Sequence, residues 1–329
     1  MGAQRRRGFL GKQIFEDRES SARLLAVDPY HRQRSKKPER LAIVAVEDVT
    51  LPRAVHAQVR DCTCRNAFWS MSASAVVDEA AIYRPPRNAD PLVALLPGLV
   101  AGSWMWESTL RALDALGFGY LALREPFAAR HASVTSCTRW LVDLMDRFQI
   151  ASAYLVGGSF GSLVALDYAV LHPQRVATLV LSGAPVNGRS ATMNLAMHGK
   201  LTLRVALSVS DHLFWDRRCI DEAVIRSAWE FFAERRRLAN LVRLLRDASA
   251  YDVRGVLPRI EAFTLMIWGE DDRVSFSREW RRLLPLIRRG VFHTIARCGH
   301  NPMIEKPAEF NALLFEHFGS QGRSIPSSI

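Results

Sequence analysis

Long apolar runs are absent from this 329-residue sequence: none approaches the ~20 residues that a membrane-spanning helix needs. Cysteine is also scarce, with five scattered residues that do not suggest a disulfide framework. The arginines at positions 5–7 are not followed by the apolar segment of a secretory signal. These absences exclude a transmembrane protein and indicate a reducing, cytoplasmic compartment.

Metal-binding motifs and repeats are missing as well. Cys62 and Cys64 do not have the spacing of metal ligands, and the sequence has no second cysteine pair that could complete a metal site with them. No internal repeat or low-complexity tract is present, and we expect neither a metal nor a cofactor. The hydrophobic content of 49% is ample for the core of one large domain or two small ones.

The net charge of +11 is unevenly distributed. Residues 1–70 hold 14 Lys and Arg against 8 Asp and Glu, a net charge of +6, without a sustained helical or strand period. A basic arm could bind nucleic acid or an anionic membrane, but motifs that read bases are absent, so nucleic-acid binding is not expected. We predict that residues 1–70 are an extension outside the folded enzyme, either a flexible arm or a segment upstream of the natural start, and that the ordered domain begins near Met71.

From residue 71 onward, strand and helix patterns alternate. Apolar runs of strand length, such as Leu92–Leu96, are separated by amphipathic stretches such as Val134–Phe148. This order predicts a doubly wound, mostly parallel sheet with helices on both faces. We assign residues 71–185 and 253–320 to its two parts and residues 321–329 to a tail.

The alternation is interrupted between residues 186 and 252. This segment contains helical patterns rich in Arg and Leu and no clear strand. It predicts a helical cap inserted over the sheet.

The sequence has one G-x-S-x-G motif, formed by Gly157, Ser159 and Gly161. An apolar run that predicts a strand precedes it, and a helical pattern follows. In this context the serine is expected on a strained turn with its hydroxyl above the sheet, and the two glycines allow the strand and the helix to approach closely. The motif therefore predicts a serine nucleophile.

Two later loops supply a candidate acid and a candidate base. Asp271 and Asp272 follow the predicted strand that ends at Trp268, and His300 follows the last predicted strand. Such loops open at the carboxyl edge of a doubly wound sheet, where Ser159 also projects. A neutral imidazole can accept the serine proton and a carboxylate can orient it, but the pattern alone leaves either aspartate possible.

A transition-state oxyanion needs backbone N–H donors beside the serine. Phe160, the residue after Ser159, is one candidate, and Leu99, in the loop after Leu92–Leu96, is the other.

Together these segments resemble the α/β-hydrolase superfamily over about residues 74–318. The resemblance rests on Leu96-Pro97-Gly98 with Trp104, on the serine motif, on Trp268-Gly269-Glu270-Asp271-Asp272 and on the segment from Gly299 to Pro307. In similar proteins the acid stands three residues after the glycine, which selects Asp272, and a variable helical cap follows the sixth strand. Two departures are the proline at position 97, where similar proteins often have histidine, and the segment 125–133, which lacks their glycines.

The resemblance implies an acyl hydrolase that cleaves a carboxylic ester or thioester, with Ser159, His300 and Asp272 as the catalytic triad. Acyl transfer and hydrolysis of a carbon–carbon bond are alternatives on the same triad, and a non-catalytic ligand-binding protein is a further one. The cap is rich in Leu, Phe, Trp and Arg, so we expect a small-molecule substrate with an apolar acyl group. The oligomeric state is left open.

Overall fold

A mixed sheet of eight strands organises the described part of the molecule. The computed structural model describes residues 76–77, 79–87, 91–186, 212–219, 231 and 234–320. The strands are Val76–Val77 (β1), Ala81–Arg84 (β2), Leu92–Leu96 (β3), Tyr120–Leu123 (β4), Ala153–Gly158 (β5), Val176–Ser182 (β6), Thr264–Gly269 (β7) and Gly290–Ile295 (β8). Their spatial order is β1-β2-β4-β3-β5-β6-β7-β8.

The six strands from β3 to β8 run parallel to their neighbours, whereas β1 and β2 are antiparallel. Strands β3 to β6 are almost wholly buried, which explains their continuous apolar sequences. The mostly parallel, doubly wound sheet predicted from the sequence is confirmed. The carboxyl ends of β5, β6 and β7 therefore lie side by side at one edge.

Helices cover both faces of the sheet. The α-helices of the described residues are Glu107–Ala115 (α1), Val134–Arg147 (α2), Phe160–Leu171 (α3), Arg235–Ala250 (α4), Val253–Val256 (α5), Ser277–Leu283 (α6), Pro302–Glu305 (α7) and Pro307–Ser320 (α8). One apolar cluster lies between the sheet and α2, α3, α4 and α6, and the other lies between the sheet and α1, α7 and α8. The two clusters form separate cores on opposite sides of the sheet.

Residues 104–116 and 277–287 have sequence patterns that predict one helix each, and the structure divides each of them into an α-helix and a 3-10 turn. The helix expected from Trp104 begins as a 3-10 turn, Ser103–Trp106, because Gly102 packs against the Arg124 carbonyl and Ser103 N–H donates to that carbonyl. The helix expected over residues 277–287 continues after Leu283 as a 3-10 turn, since Pro285 lacks the backbone donor that an α-helix needs.

The described part of the predicted cap segment includes one long helix, α4. Its buried leucines and an alanine pack against the turn at residues 127–129 and against α2. Residues 187–211, 220–230 and 232–233 lie outside the described residues, as do the predicted extension 1–70 and tail 321–329. The domain boundaries drawn from the sequence stay predictions. Within the described ranges, no helix is long and apolar enough to cross a membrane.

Candidate active site

Ser159 lies on the turn between β5 and α3. Its φ is 52° and its ψ is −121°. Residues other than glycine rarely adopt this backbone conformation, which costs about 1–3 kcal/mol. The Ser159 N–H donates to the Ser182 carbonyl at the end of β6, at 2.7 Å. The strained turn is thereby tied to the neighbouring strand, and the serine side chain is only partly buried.

Gly157 and Gly161 flank the serine where backbone segments meet. A Cβ on Gly157 would lie 2.5 Å from Ser162 Cα, and one on Gly161 would lie 2.3 Å from the Leu96 carbonyl oxygen. Both distances are far below a normal carbon contact. Any larger residue would therefore push α3 away from β3 and β5.

His300 stands between Ser159 and Asp272. Its Nε2 lies 2.8 Å from Ser159 Oγ, and its Nδ1 lies 2.9 Å from Asp272 Oδ2. Because a carboxylate can only accept hydrogen bonds, Nδ1 carries the proton and Nε2 is left to accept from the serine hydroxyl. The three side chains that the sequence singled out form one hydrogen-bonded chain across β5, β7 and β8.

The two adjacent aspartates have different environments. Asp272 is buried, with 2% of its surface exposed, and its Oδ1 accepts the N–H groups of Val274 at 2.8 Å and Ser275 at 2.9 Å. Asp271 is exposed. The loop thus holds one carboxylate rigidly toward His300, and that carboxylate belongs to Asp272.

The backbone groups proposed for the oxyanion lie on either side of Ser159. Phe160 is the first residue of α3, so its N–H has no intrahelical acceptor. The loop after β3 packs on the serine: a Cβ on Gly98 would lie 3.5 Å from Ser159 Cβ. The Gly98 N–H donates to Met105 Sδ at 3.2 Å, which leaves Leu99 as the candidate in this loop.

One short segment of the site was missed by the sequence analysis. Ser182 ends β6, and Gly183 and Ala184 follow it; the three contact Ser159, His300 and Ser275 respectively. Ser182 O accepts from Ser159 N–H, and Ala184 O accepts from the hydroxyl of Ser275 beside Asp272. Between them Gly183 has a φ of 62° and packs so closely on His300 that a Cβ would lie 2.8 Å from its Cε1. A glycine directly after a parallel strand at the carboxyl edge is the signal that could have identified it.

Apolar side chains surround the serine turn. Met105 Cε, Trp106 and Met303 Cε lie next to Gly158, and the rings of Phe127 and Phe160 meet edge-on with centroids 5.7 Å apart. Burial raises the pKa of the Cys298 thiol, two residues from His300, so it stays protonated at neutral pH. In the described ranges, no group of three or more His, Cys, Asp and Glu side chains could hold a metal ion. Ser159 is thus the candidate nucleophile, on a turn packed against apolar side chains.

Comparison with known proteins gives a family match and named relatives. The model of an alpha/beta hydrolase family matches residues 93–313. A 2-hydroxy-6-oxo-6-phenylhexa-2,4-dienoate hydrolase from Comamonas testosteroni is 33% identical in an alignment 190 positions long. The alignment covers 53% of this chain and 65%, just under two thirds, of that relative. A 2-hydroxy-6-oxononadienedioate/2-hydroxy-6-oxononatrienedioate hydrolase from Paraburkholderia phymatum is 28% identical over 250 residues, covering 69% of this chain and 86% of the relative.

Among solved structures, a meta-cleavage product hydrolase from Pseudomonas fluorescens IP01 aligns with a TM-score of 0.62 and 23% identity. The alignment covers 73% of this chain and 94% of that structure. At this level of identity, the likeness concerns the fold.

Proposed function

Because the chain belongs to the α/β-hydrolase family, with a family match across residues 93–313, we propose that it is a serine hydrolase that cleaves a carboxylic ester or thioester through an acyl-enzyme. The observation that carries the proposal is the continuous hydrogen-bonded chain from Asp272 through His300 to Ser159. A strained serine in contact with an oriented imidazole is the arrangement that nucleophilic acyl transfer requires.

In the first half of the proposed reaction, Ser159 Oγ attacks the carbonyl carbon while its proton passes to His300 Nε2. The N–H groups of Phe160 and Leu99 stabilise the oxyanion of the tetrahedral intermediate. The intermediate collapses as the imidazolium gives its proton to the leaving alcohol or thiol. Ser159 then carries the acyl group, and Asp272 stabilises the charged imidazole throughout.

The second half repeats these steps with water as the attacking group. His300 removes a proton from water, which attacks the acyl carbon, and the same proton returns to Ser159 Oγ as the ester bond breaks. The products are the free acid and a regenerated serine. No metal or cofactor is needed for any of these steps.

We propose that the acyl group of the substrate is apolar, because apolar side chains surround the turn that carries Ser159. Phe127 and Phe160 are in ring contact beside the serine, and Leu99 packs against the same apolar cluster. Phe127 and Phe160 are themselves almost fully buried, so the partly buried Leu99 is the side chain of this set that offers apolar surface to an acyl group.

Hydrolysis of a carbon–carbon bond is a second candidate, favoured by the relatives. The Comamonas and Paraburkholderia proteins are named as hydrolases of 2-hydroxy-6-oxo dienoates and of a related nonadienedioate. The same serine could attack a ketone carbon, but the departing carbon must then be protonated and the substrate's carboxylate needs a partner. We rank the ester or thioester first because its cleavage needs only the three side chains and the backbone donors already described.

A substrate panel tests this assignment. Esters and thioesters of graded acyl length would be assayed beside a 2-hydroxy-6-oxo dienoate, with and without an added acceptor alcohol. We expect turnover of esters or thioesters that improves with acyl length and gives mainly the free acid. Turnover of the dienoate alone would replace the proposal with carbon–carbon hydrolysis, and mainly transesterified product would replace it with acyl transfer.

A further inference from the structure

Glu305 connects the loop that carries His300 to a segment of the predicted cap. It is the last residue of α7, and its two carboxylate oxygens point in different directions. Oε1 accepts the N–H of Gly299 at 2.8 Å. Oε2 accepts the N–H groups of Trp215 at 2.8 Å and Asp216 at 3.3 Å. One carboxylate therefore joins two chain segments that are more than eighty residues apart in the sequence.

The same two segments also touch directly beside the imidazole. The His300 N–H donates to the Leu213 carbonyl at 2.9 Å. A Cβ on Gly299 would lie 2.7 Å from the Trp215 nitrogen and 2.9 Å from the Leu213 oxygen, so the contact has no spare room. The backbone of His300 is consequently held from one side by residues 213–216, and Glu305 fixes that arrangement.

The carboxylate is suited to this position by its hydrogen-bonding capacity. An ionised carboxylate only accepts, and the backbone groups that reach it are all donors. Burial raises the pKa of Glu305 above its ordinary value, although the N–H groups of Trp215, Asp216, Gly299 and Asn301 lower it in part. The raised pKa means that folding disfavours the charged form relative to the neutral one.

We propose that Glu305 is a positioning residue that keeps His300 Nε2 within hydrogen-bond distance of Ser159 Oγ by tying the His300 loop to residues 213–216. This inference rests on the proposed function, in which His300 is the base. A displacement of a catalytic group by about 1 Å costs on the order of 100-fold in rate. Glu305 touches no reacting atom and acts through the loop.

Glu305→Gln is the decisive variant because it keeps the side-chain volume and removes the charge. Its amide group has only one acceptor oxygen, so an N–H of the side chain must face one of the backbone donors. We expect the rate of Ser159 labelling by a fluorophosphonate to fall about 10-fold to 100-fold. Tm should fall as well, because one backbone N–H loses its acceptor. Glu309→Gln, the same change at an exposed position in α8, is the matched control and should label at the wild-type rate.

The outcomes separate this inference from the proposed function. If the wild-type protein is not labelled at Ser159, the proposed function fails. If the wild type is labelled and Glu305→Gln is labelled at the same rate, the function stands and the role of Glu305 is wrong. Should the Gln variant not fold, Glu305→Asp gives the answer: it keeps the charge, but its shorter side chain cannot reach both segments, so we expect slower labelling, and a wild-type rate would refute the role.

Discussion

Two buried histidines, at opposite edges of the sheet, each contact a hydroxyl group. At the carboxyl edge, His300 Nε2 lies 2.8 Å from Ser159 Oγ. Toward the amino edge, His317 Nε2 lies 2.7 Å from the hydroxyl of Thr178, near the start of β6. The two imidazoles are almost equally buried, at 2% and 5% exposure. By distance and burial alone they are indistinguishable.

The surroundings of the two pairs differ. His300 has a carboxylate on its other nitrogen, whereas His317 stacks on the Phe263 ring with centroids 4.8 Å apart. The Thr178 hydroxyl also donates to the Phe263 carbonyl at 2.8 Å, so its proton is committed to the backbone. Burial lowers the pKa of His317 to about 4 and keeps it neutral. The His317–Thr178 pair thus lacks both the carboxylate and the strained backbone that accompany the His300–Ser159 pair.

The largest effect is expected from removing the hydroxyl at each edge in turn. Ser159→Ala should lower kcat on the order of 10⁶-fold, since the nucleophile is lost, while the fold is retained. Thr178→Val, the matched change at the other edge, should reduce Tm and leave kcat unchanged. Steady-state kinetics and thermal melts of both variants measure this difference. If Ser159→Ala kept more than a few per cent of the wild-type activity, Ser159 would not be the nucleophile.

The second-largest effect concerns Asp272, whose carboxylate contacts His300 and has no counterpart beside His317. Asp272→Asn should lower kcat roughly 10⁴-fold, because the amide no longer fixes the required tautomer of His300. Asp271→Asn changes the neighbouring, exposed residue in the same way and should stay within a few-fold of the wild type. Equal effects of the two substitutions in the same kinetic assay would contradict the assignment of Asp272.

A smaller loss is expected when the surface that supports the His300 ring is changed. Gly183→Ala places a methyl group 2.8 Å from His300 Cε1 and should lower kcat about 10-fold to 100-fold. Gly117→Ala is the control, because Gly117 also has a positive φ, 73°, but its Cβ would meet only Arg87. Both variants should lose stability by about 1–2 kcal/mol, whereas only Gly183→Ala should lose kcat. If the two variants had equal kcat, Gly183 would be needed only for its positive φ and not for its contact with the His300 ring.

The smallest effect is on the pH dependence of stability and concerns His317. Its pKa in the folded state is about 4, below the value of 6.5 expected when unfolded, so the unfolded chain binds the extra proton as the pH falls through this interval. The contribution of the neutral His317 to the free energy of unfolding is fully present above pH ~6.5 and is lost as the pH falls toward ~4. Denaturant titrations at several pH values give the slope of the unfolding free energy against pH. In His317→Gln this slope should be smaller than in the wild type, by the equivalent of up to about one bound proton. A slope identical to that of the wild type would show that His317 titrates normally.

The sequence predicted the sheet and the candidate site because both depend on local patterns. Buried parallel strands are apolar throughout, and the residues around Ser159, Asp272 and His300 follow strands whose carboxyl ends must meet. The choice between Asp271 and Asp272 needed the resemblance to a family, because only the folded loop shows which side chain turns inward. Gly183 and Glu305 were not identified as parts of the site, since their contacts join segments that are distant in sequence. His317 was not singled out either, as nothing in a sequence shows that a helix histidine stacks on Phe263.

In the proposed reaction, Ser159 carries the acyl group during turnover. The most direct measurement is mass spectrometry of peptides from the protein quenched in acid during turnover of a reactive ester. We expect the peptide containing Ser159 to gain the mass of the acyl group and the adduct to disappear as substrate is consumed. Turnover with the acyl group on another residue, or on none, would contradict the proposed reaction.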